Sequence, residues 1–313
     1  MRRRRTPCAR ARRGAPLIYV LLLIAVTAVW GWTFVLVKDA ISHYPTVPFL
    51  AIRFAVAVAV MALILHRRPS LRVLKVGSLV GLALAAGYLS QTVGLNFTSP
   101  GTAGLLTGLF VVFTPVLERS FGRQVPRRTV VAVLVALLGT LLLTGFEGGG
   151  AALGEALVVI SAAAFALQIV LLGRWAPGLP PADLALVQLA VTALVFVTIG
   201  GLGGATHVGW GALGAAGFPP PGPAVWFAIA VTAVFASALA IFAQTWAQTH
   251  LTATRTAVIM TLEPAWALLF AVILAGQRLG AVQALGAALL LGAIVGHETL
   301  GRQRTVRSSS RAG

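Results

Sequence analysis

The chain has 313 residues, 58% of them hydrophobic and only 10% charged, with a formal net charge of +17 and a mean hydropathy of +0.93. A soluble domain carries about a quarter of its residues as charges, so this composition excludes one and predicts an integral membrane protein. The basic residues stand in the tails and at segment ends, not along a stripe interleaved with acids and aromatics, which argues against nucleic acid as a partner; the lone Cys8 provides neither a disulfide framework nor a Cys-based metal site.

Residues 1–16 read as a basic cytoplasmic tail. The apolar run behind it resembles a signal peptide, but no small-x-small cleavage site follows and further hydrophobic segments do. Apolar runs of spanning length fall at about 17–37, 47–65, 73–93, 102–117, 129–145, 153–172, 183–203, 223–246, 254–273 and 280–296. Ten spans are therefore expected. The fourth and fifth are short, and the eighth follows a Gly- and Pro-rich loop. A second basic tail, 298–313, closes the chain.

Cytoplasmic loops carry the excess of Lys and Arg. With ten spans and the N-terminus inside, all of the 24 basic residues except Lys38, Arg53 and Arg278 fall on one face. An odd number of spans would carry the C-terminal arginines to the other side, so both termini are expected in the cytoplasm and the protein in the cell (inner or plasma) membrane.

The most informative stretch runs from Gln244 to Gln277. There, an apolar segment of about 20 residues, long enough to cross a ~30 Å hydrocarbon layer, is broken in its middle by Glu263-Pro264. An acid at the centre of a span costs roughly 2.5 to 3.5 kcal/mol on insertion scales and so faces a partner or a wet cavity. The proline beside it removes a backbone hydrogen bond. A similar stretch runs from Gln91 through Asn96 and Thr102 to Thr114-Pro115. Pro115 and Pro264 are the candidate helix breaks.

These likenesses belong to a duplication. Arg53 stands to Gln188 as Trp30 to Phe165 and Thr33 to Gln168, at one offset; Asn96 to His250 and Thr102-Ala103 to Thr256-Ala257 share another. Five spans per half is an odd number, so the second copy starts on the opposite side. Such inverted repeats hold a substrate site near the midplane between them.

The run Trp30 to Ala40 (WGWTFVLVKDA), Arg53-Phe54, the block Gln91 to Pro115, the Leu262-Glu263-Pro264 triplet and the Gly286 to Gly292 ending resemble the EamA-type family of the drug/metabolite transporter superfamily. The resemblance implies an all-α integral membrane carrier of ten transmembrane helices. They form two inverted five-helix EamA repeats, 17–145 and 151–297, with a central cavity lined by the first four helices of each half. Relatives move amino acids, metabolites or drugs, often outward. Two departures stand out: Gln277, where relatives often carry Glu, with Gln124 at the matching position of the first half; and Glu118, which is not part of the family pattern.

Each candidate residue has a functional and a structural reading. Glu263 binds a proton or cationic group as the cavity alternates, or accepts hydrogen bonds that fix the break at Pro264. Arg53 attracts a substrate carboxylate, pairs with Glu263, or snorkels outward. Gln91 and Asn96 with Ser90 and Thr92, and Gln188 and Gln244 with Thr245 and Gln248, line a polar path or act as interhelical glue. Trp30 and Trp266 sit deeper than the interfacial tryptophans and are cavity candidates. Gly77-x-x-x-Gly81 and Gly292-x-x-x-Gly296 serve packing within the monomer or a homodimer.

The five histidines lie near span ends without metal-ligand spacing, so no metal is expected. No phosphate loop, nucleophile elbow or H-E-x-x-H is present, so the chain reads as neither an enzyme nor an ATPase, with no cofactor. The expected function is a secondary-active or facilitative transporter of a small metabolite, amino acid or drug-like solute. It is expected to export by alternating access, with a proton or other gradient as the driving force. An uptake permease or exchanger of the same fold is the nearest alternative; a non-transporting membrane scaffold or an integral membrane transferase comes from another class.

Overall fold

The computed structural model describes residues 17–64, 69–122, 150–206, 218–260 and 262–289, with isolated positions at 131, 134, 135, 138, 139, 142 and 292. Every regular element among them is helical: α1 (Leu17–His43), α2 (Thr46–Ile64), α3 (Leu71–Leu95), α4 (Pro100–Thr107), α5 (Phe110–Arg119), α6 (Gly150–Trp175), α7 (Pro181–Thr206), α8 (Pro223–Val231), a π-helical segment (Thr232–Leu239), α9 (Ala240–Gln248), α10 (Ala253–Ile259) and α11 (Leu262–Ala275). A last helix, α12, covers 281–289.

Eight helical stretches among the described residues are long and apolar enough to span a bilayer: α1, α2, α3, α4 with α5, α6, α7, α8 through α9, and α10 with α11. The predicted fifth span falls almost wholly outside the described residues, as do both tails and Gln124. The tenth is represented by α12, which is shorter than a span, and position 292. Apolar side chains all around a helix, as here, mark segments whose outer faces meet protein or lipid.

Helix ends follow local chemistry. Ser70 starts α3 by accepting a hydrogen bond from the Val73 amide at 3.3 Å. Ser99 does the same for Thr102 at the start of α4, with Pro100 at the first helical position. At the far end of α3, Lys38 Nζ donates to the Leu95 and Asn96 carbonyls at 2.6 and 3.0 Å, placing a cation where the helix dipole is negative.

The helices pack across the middle of the chain. α1 lies along α11, and α5 along α6. α3 packs on α6 and α7, while the stretch from α8 to α9 packs on α1 and α2. α2 lies along α7, and α4 along α11. Exchanging the two halves turns each of these partnerships into another member of the same set. The stretch Pro100–Arg119 is 78% buried, against 44 to 56% for the other seven, which puts it at the centre of the bundle.

Among the described glycines, the closest approach falls at the seat of α11. A Cβ built on Gly104 of α4 would stand 2.1 Å from Ala267 Cβ, and one on Gly31 of α1 would stand 2.5 Å from Trp266 Cβ and 2.8 Å from the Ala267 amide nitrogen. Both glycines are therefore required for α11 to approach the two helices. Gly77 and Gly81 lie against Val187 and Val191 of α7, so that glycine pair serves a contact within the chain; Gly296 lies outside the described residues.

Candidate functional site

A cavity of about 50 Å³ lies between the halves, with walls from α1, α2, α3, α4, α5, α6, α9, α11 and Met260. Space of that size admits the centres of a few water molecules. Tyr88 and Phe165 give it an aromatic wall, backed by Phe54 and Phe196, which do not line it. Phe196, Phe54, Tyr88 and Phe165 form a chain of rings with successive centroids 5.5, 4.9 and 5.3 Å apart, linking α7, α2, α3 and α6.

Arg53 enters this cavity from α2 and is only 3% exposed. Its Nε donates to Ser237 Oγ at 2.9 Å, and its guanidinium carbon lies 5.0 Å from the Tyr88 ring centroid. Ser237 belongs to the π-helical segment. The same segment supplies the Ala236 carbonyl that accepts from Trp30 Nε1 at 2.8 Å. A π-helix widens the helical turn and loosens the ordinary backbone pairing; here that local geometry fixes the two first-half side chains that reach across to it.

Glu263 enters from the opposite half, in the first turn of α11, and is 5% exposed. Its carboxylate makes no hydrogen bond or ion pair among the described residues, so Arg53 directs its donors elsewhere. Pro264, in the same first helical turn, needs no amide donor there, and the chain turns just before it at Met260. Pro115 instead sits inside α5, and the interruption between α4 and α5 falls earlier, at Gly108 and Leu109.

The other sequence candidates divide into two groups. Trp30, Gln91 and Gln244 line the cavity with Arg53 and Glu263, and Gln91 Nε2 donates to Thr107 Oγ1 at 3.0 Å. Gln188 lies behind the wall, fully buried. Asn96 faces a second, outer pocket and donates to Thr46 Oγ1 at 3.0 Å. Trp266 stacks near Phe270, with ring centroids 6.1 Å apart, and its Cβ rests against Gly31.

The two departures from the family pattern both bridge the halves. Gln277 Oε1 accepts from the Gly101 amide at 3.0 Å at the start of α4, and Glu118 Oε2 accepts from Thr254 Oγ1 at 2.7 Å at the opposite end of the bundle. The sequence reading missed Tyr88 and the π-helical segment, and saw Gln168 only as the repeat partner of Thr33. Applying the repeat offset to every polar residue would have found Gln168; the run TAVFASAL carries no mark of a π-helix.

The sequence pattern of the EamA-like transporter family matches residues 17–145 and 152–297. The chain belongs to that family. This EamA-like transporter is 30% identical over 292 residues to an uncharacterized transporter of Archaeoglobus fulgidus, an alignment covering 90% of this chain and 86% of the relative. It is 28% identical over 151 residues to the uncharacterized inner membrane transporter YedA of Escherichia coli, covering 46% of this chain and 49% of YedA. A crystal structure with 17% identity superposes with a TM-score of 0.65 over 93% of this chain and 99% of that one, a likeness of fold alone. The transporter is thus a multi-pass membrane protein whose setting is the lipid bilayer and whose cargo is a small molecule.

Proposed function

We propose that this transporter exports a small metabolite, amino acid or drug-like solute by alternating access, its two inverted repeats, 17–145 and 151–297, rocking about the central cavity. Both termini lie in the cytoplasm in this reading, and an ion gradient, with the proton as first choice, drives the cycle. Arg53 takes an anionic group of the cargo, Glu263 takes a proton or a cationic group, and the aromatic wall takes the apolar body.

The observation that carries the reading is the pair Arg53 and Glu263. Two ionisable groups from opposite halves are buried in one cavity, and neither serves as counter-ion to the other. Burying a lone charge is costly, and a cargo or proton that completes each group in turn removes that cost. The amides of Gln91 and Gln244 add uncharged donors and acceptors facing the same space.

The test compares spent medium of a deletion strain with that of strains carrying the wild-type gene or Arg53→Gln. The wild-type gene is expected to restore an extracellular solute bearing a carboxylate or similar anionic group, and Arg53→Gln is expected not to. Identical media from all strains would sink export; restoration by Arg53→Gln would sink the role given to Arg53.

A further inference from the structure

The repeat places Thr33 with Gln168 and Arg53 with Gln188, and the dipeptide Gln91-Thr92 with Gln244-Thr245, one residue short of the spacing that pairs Asn96 with His250, yet the two sets stand in different arrangements. All four first-half residues line the cavity. Their bonds run to a helix's own backbone or to a neighbour outside the set: Thr33 to the Trp30 carbonyl at 2.8 Å, Arg53 to Ser237, Gln91 to Thr107.

The second-half residues are zipped to one another. Gln168 and Gln244 exchange amide contacts at 3.0 and 3.4 Å, Gln168 Nε2 donates to Gln188 Oε1 at 3.2 Å, and Gln188 Nε2 donates to Thr245 Oγ1 at 3.1 Å. One turn further along α9, Gln248 Nε2 donates to the Ile169 carbonyl at 2.9 Å. The network ties α6, α7 and α9 together; Gln168 and Gln244 line the cavity at its edge, whereas Gln188 and Thr245 do not reach it. All four of Val37, Leu95 and their repeat counterparts Leu172 and Gln248 are buried, but the cavity extends to Val37 and Leu95, on the side where α3 ends, and not to Leu172 and Gln248.

We infer that the Gln168–Gln188–Gln244–Thr245 network is the gate on the side where α9 ends, closed in this structure, and that it unzips once per cycle. The other state is then this one with the halves exchanged: α9 parts from α6 and α7, the four side chains line the cavity, and Thr33, Arg53, Gln91 and Thr92 close the opposite side. Amides suit this duty, because each donor and acceptor is satisfied either by its neighbours or by the water and cargo that replace them. The gate rests on the alternating-access reading above, and the test separates the two.

Cys8 is the single native thiol, so Cys8→Ser gives a clean background for one reporter cysteine at Val37 or Leu172, neither of which belongs to the network. Labelling of the full chain in sealed vesicles of both orientations, with a membrane-impermeant maleimide, reads the state. Val37→Cys is expected to react from the side of the α3 C-terminus at least tenfold faster than Leu172→Cys reacts from the other. Gln188→Leu, which removes the bonds to Gln168 and Thr245, is expected to raise Leu172→Cys labelling about tenfold and to lower that of Val37→Cys, the shift that two buried side-chain bonds of ordinary strength produce. Gln168→Leu is the second variant if the first does not reach the membrane, and should act in the same direction. Equal reporter rates before any gate substitution, or rates that ignore both glutamine substitutions, overturn the gate. Simultaneous fast labelling of both reporters overturns alternating access as well.

Discussion

Gly104→Ala is the most direct test of the packing that frames the cavity. The new methyl would stand 2.1 Å from Ala267 Cβ, whereas carbon atoms in good contact lie about 3.5 to 4.0 Å apart, so α4 and α11 must separate by about 1.5 Å or tilt. Over-packing of this kind costs about 1 to 3 kcal/mol, which corresponds to a fall of roughly 5 °C in the apparent Tm of a chain this size. The assay is the thermal loss of the monodisperse peak of detergent-purified protein. Because the clash is with one methyl group, Ala267→Gly should restore most of the loss in the double variant. The control is Gly31→Ala, whose new methyl meets Trp266 Cβ and the backbone at Ala267; Ala267→Gly should leave that defect in place. An unchanged Tm for Gly104→Ala, or equal rescue of both glycine variants, would refute the reasoning.

Three further outcomes follow from the cavity. Arg53→Lys should not restore what Arg53→Gln loses, because an ammonium cannot hold the planar fork between Ser237 and the Tyr88 face; flux of the cargo, at least tenfold below wild type for both variants, checks it. Ser237→Ala, which removes one partner of a charged group, should lower cargo affinity by up to about tenfold while leaving expression intact, and an unchanged concentration dependence would count against positioning by the π-helical segment. Glu263→Gln should flatten the pH dependence of transport without loss of folded protein in the membrane; a pH profile that persists unchanged removes proton carriage from Glu263.

Much of the layout could be read from the sequence because membrane spans are dictated by length and apolarity alone. Eight spans lie where runs of hydrophobic residues put them, and the Ser99-Pro100 start of α4 follows from ordinary capping chemistry. The repeat was legible through polar residues, which are few enough in such a chain that their spacing stands out: Arg53 with Gln188, Thr33 with Gln168 and Asn96 with His250 mark it. What could not be read was partnership. Arg53 meets Ser237 rather than Glu263, and Gln188 joins an amide cluster rather than the cavity wall, because side chains a helical turn apart exchange roles with small rotations that no spacing encodes. Pro115 illustrates the same limit. A proline usually marks the break, yet the interruption falls at Gly108 and Leu109, where the backbone keeps right-handed helical angles and its hydrogen bonds tighten to three residues back, Gly108 to Leu105 and Leu109 to Leu106.

The eight π-helical residues Thr232–Leu239 set the rotational phase of everything after them. Each turn there holds more residues than an α-turn, so the side chains before and after the segment point in directions that an uninterrupted α-helix could not combine. Rewinding the same residues as a regular α-helix would turn α9 by about 100° for each residue that the wider turn absorbs, carrying Gln244 off the cavity and Gln248 away from Ile169. The wider turn of Thr232–Leu239 therefore decides which face of α9 turns toward the cavity.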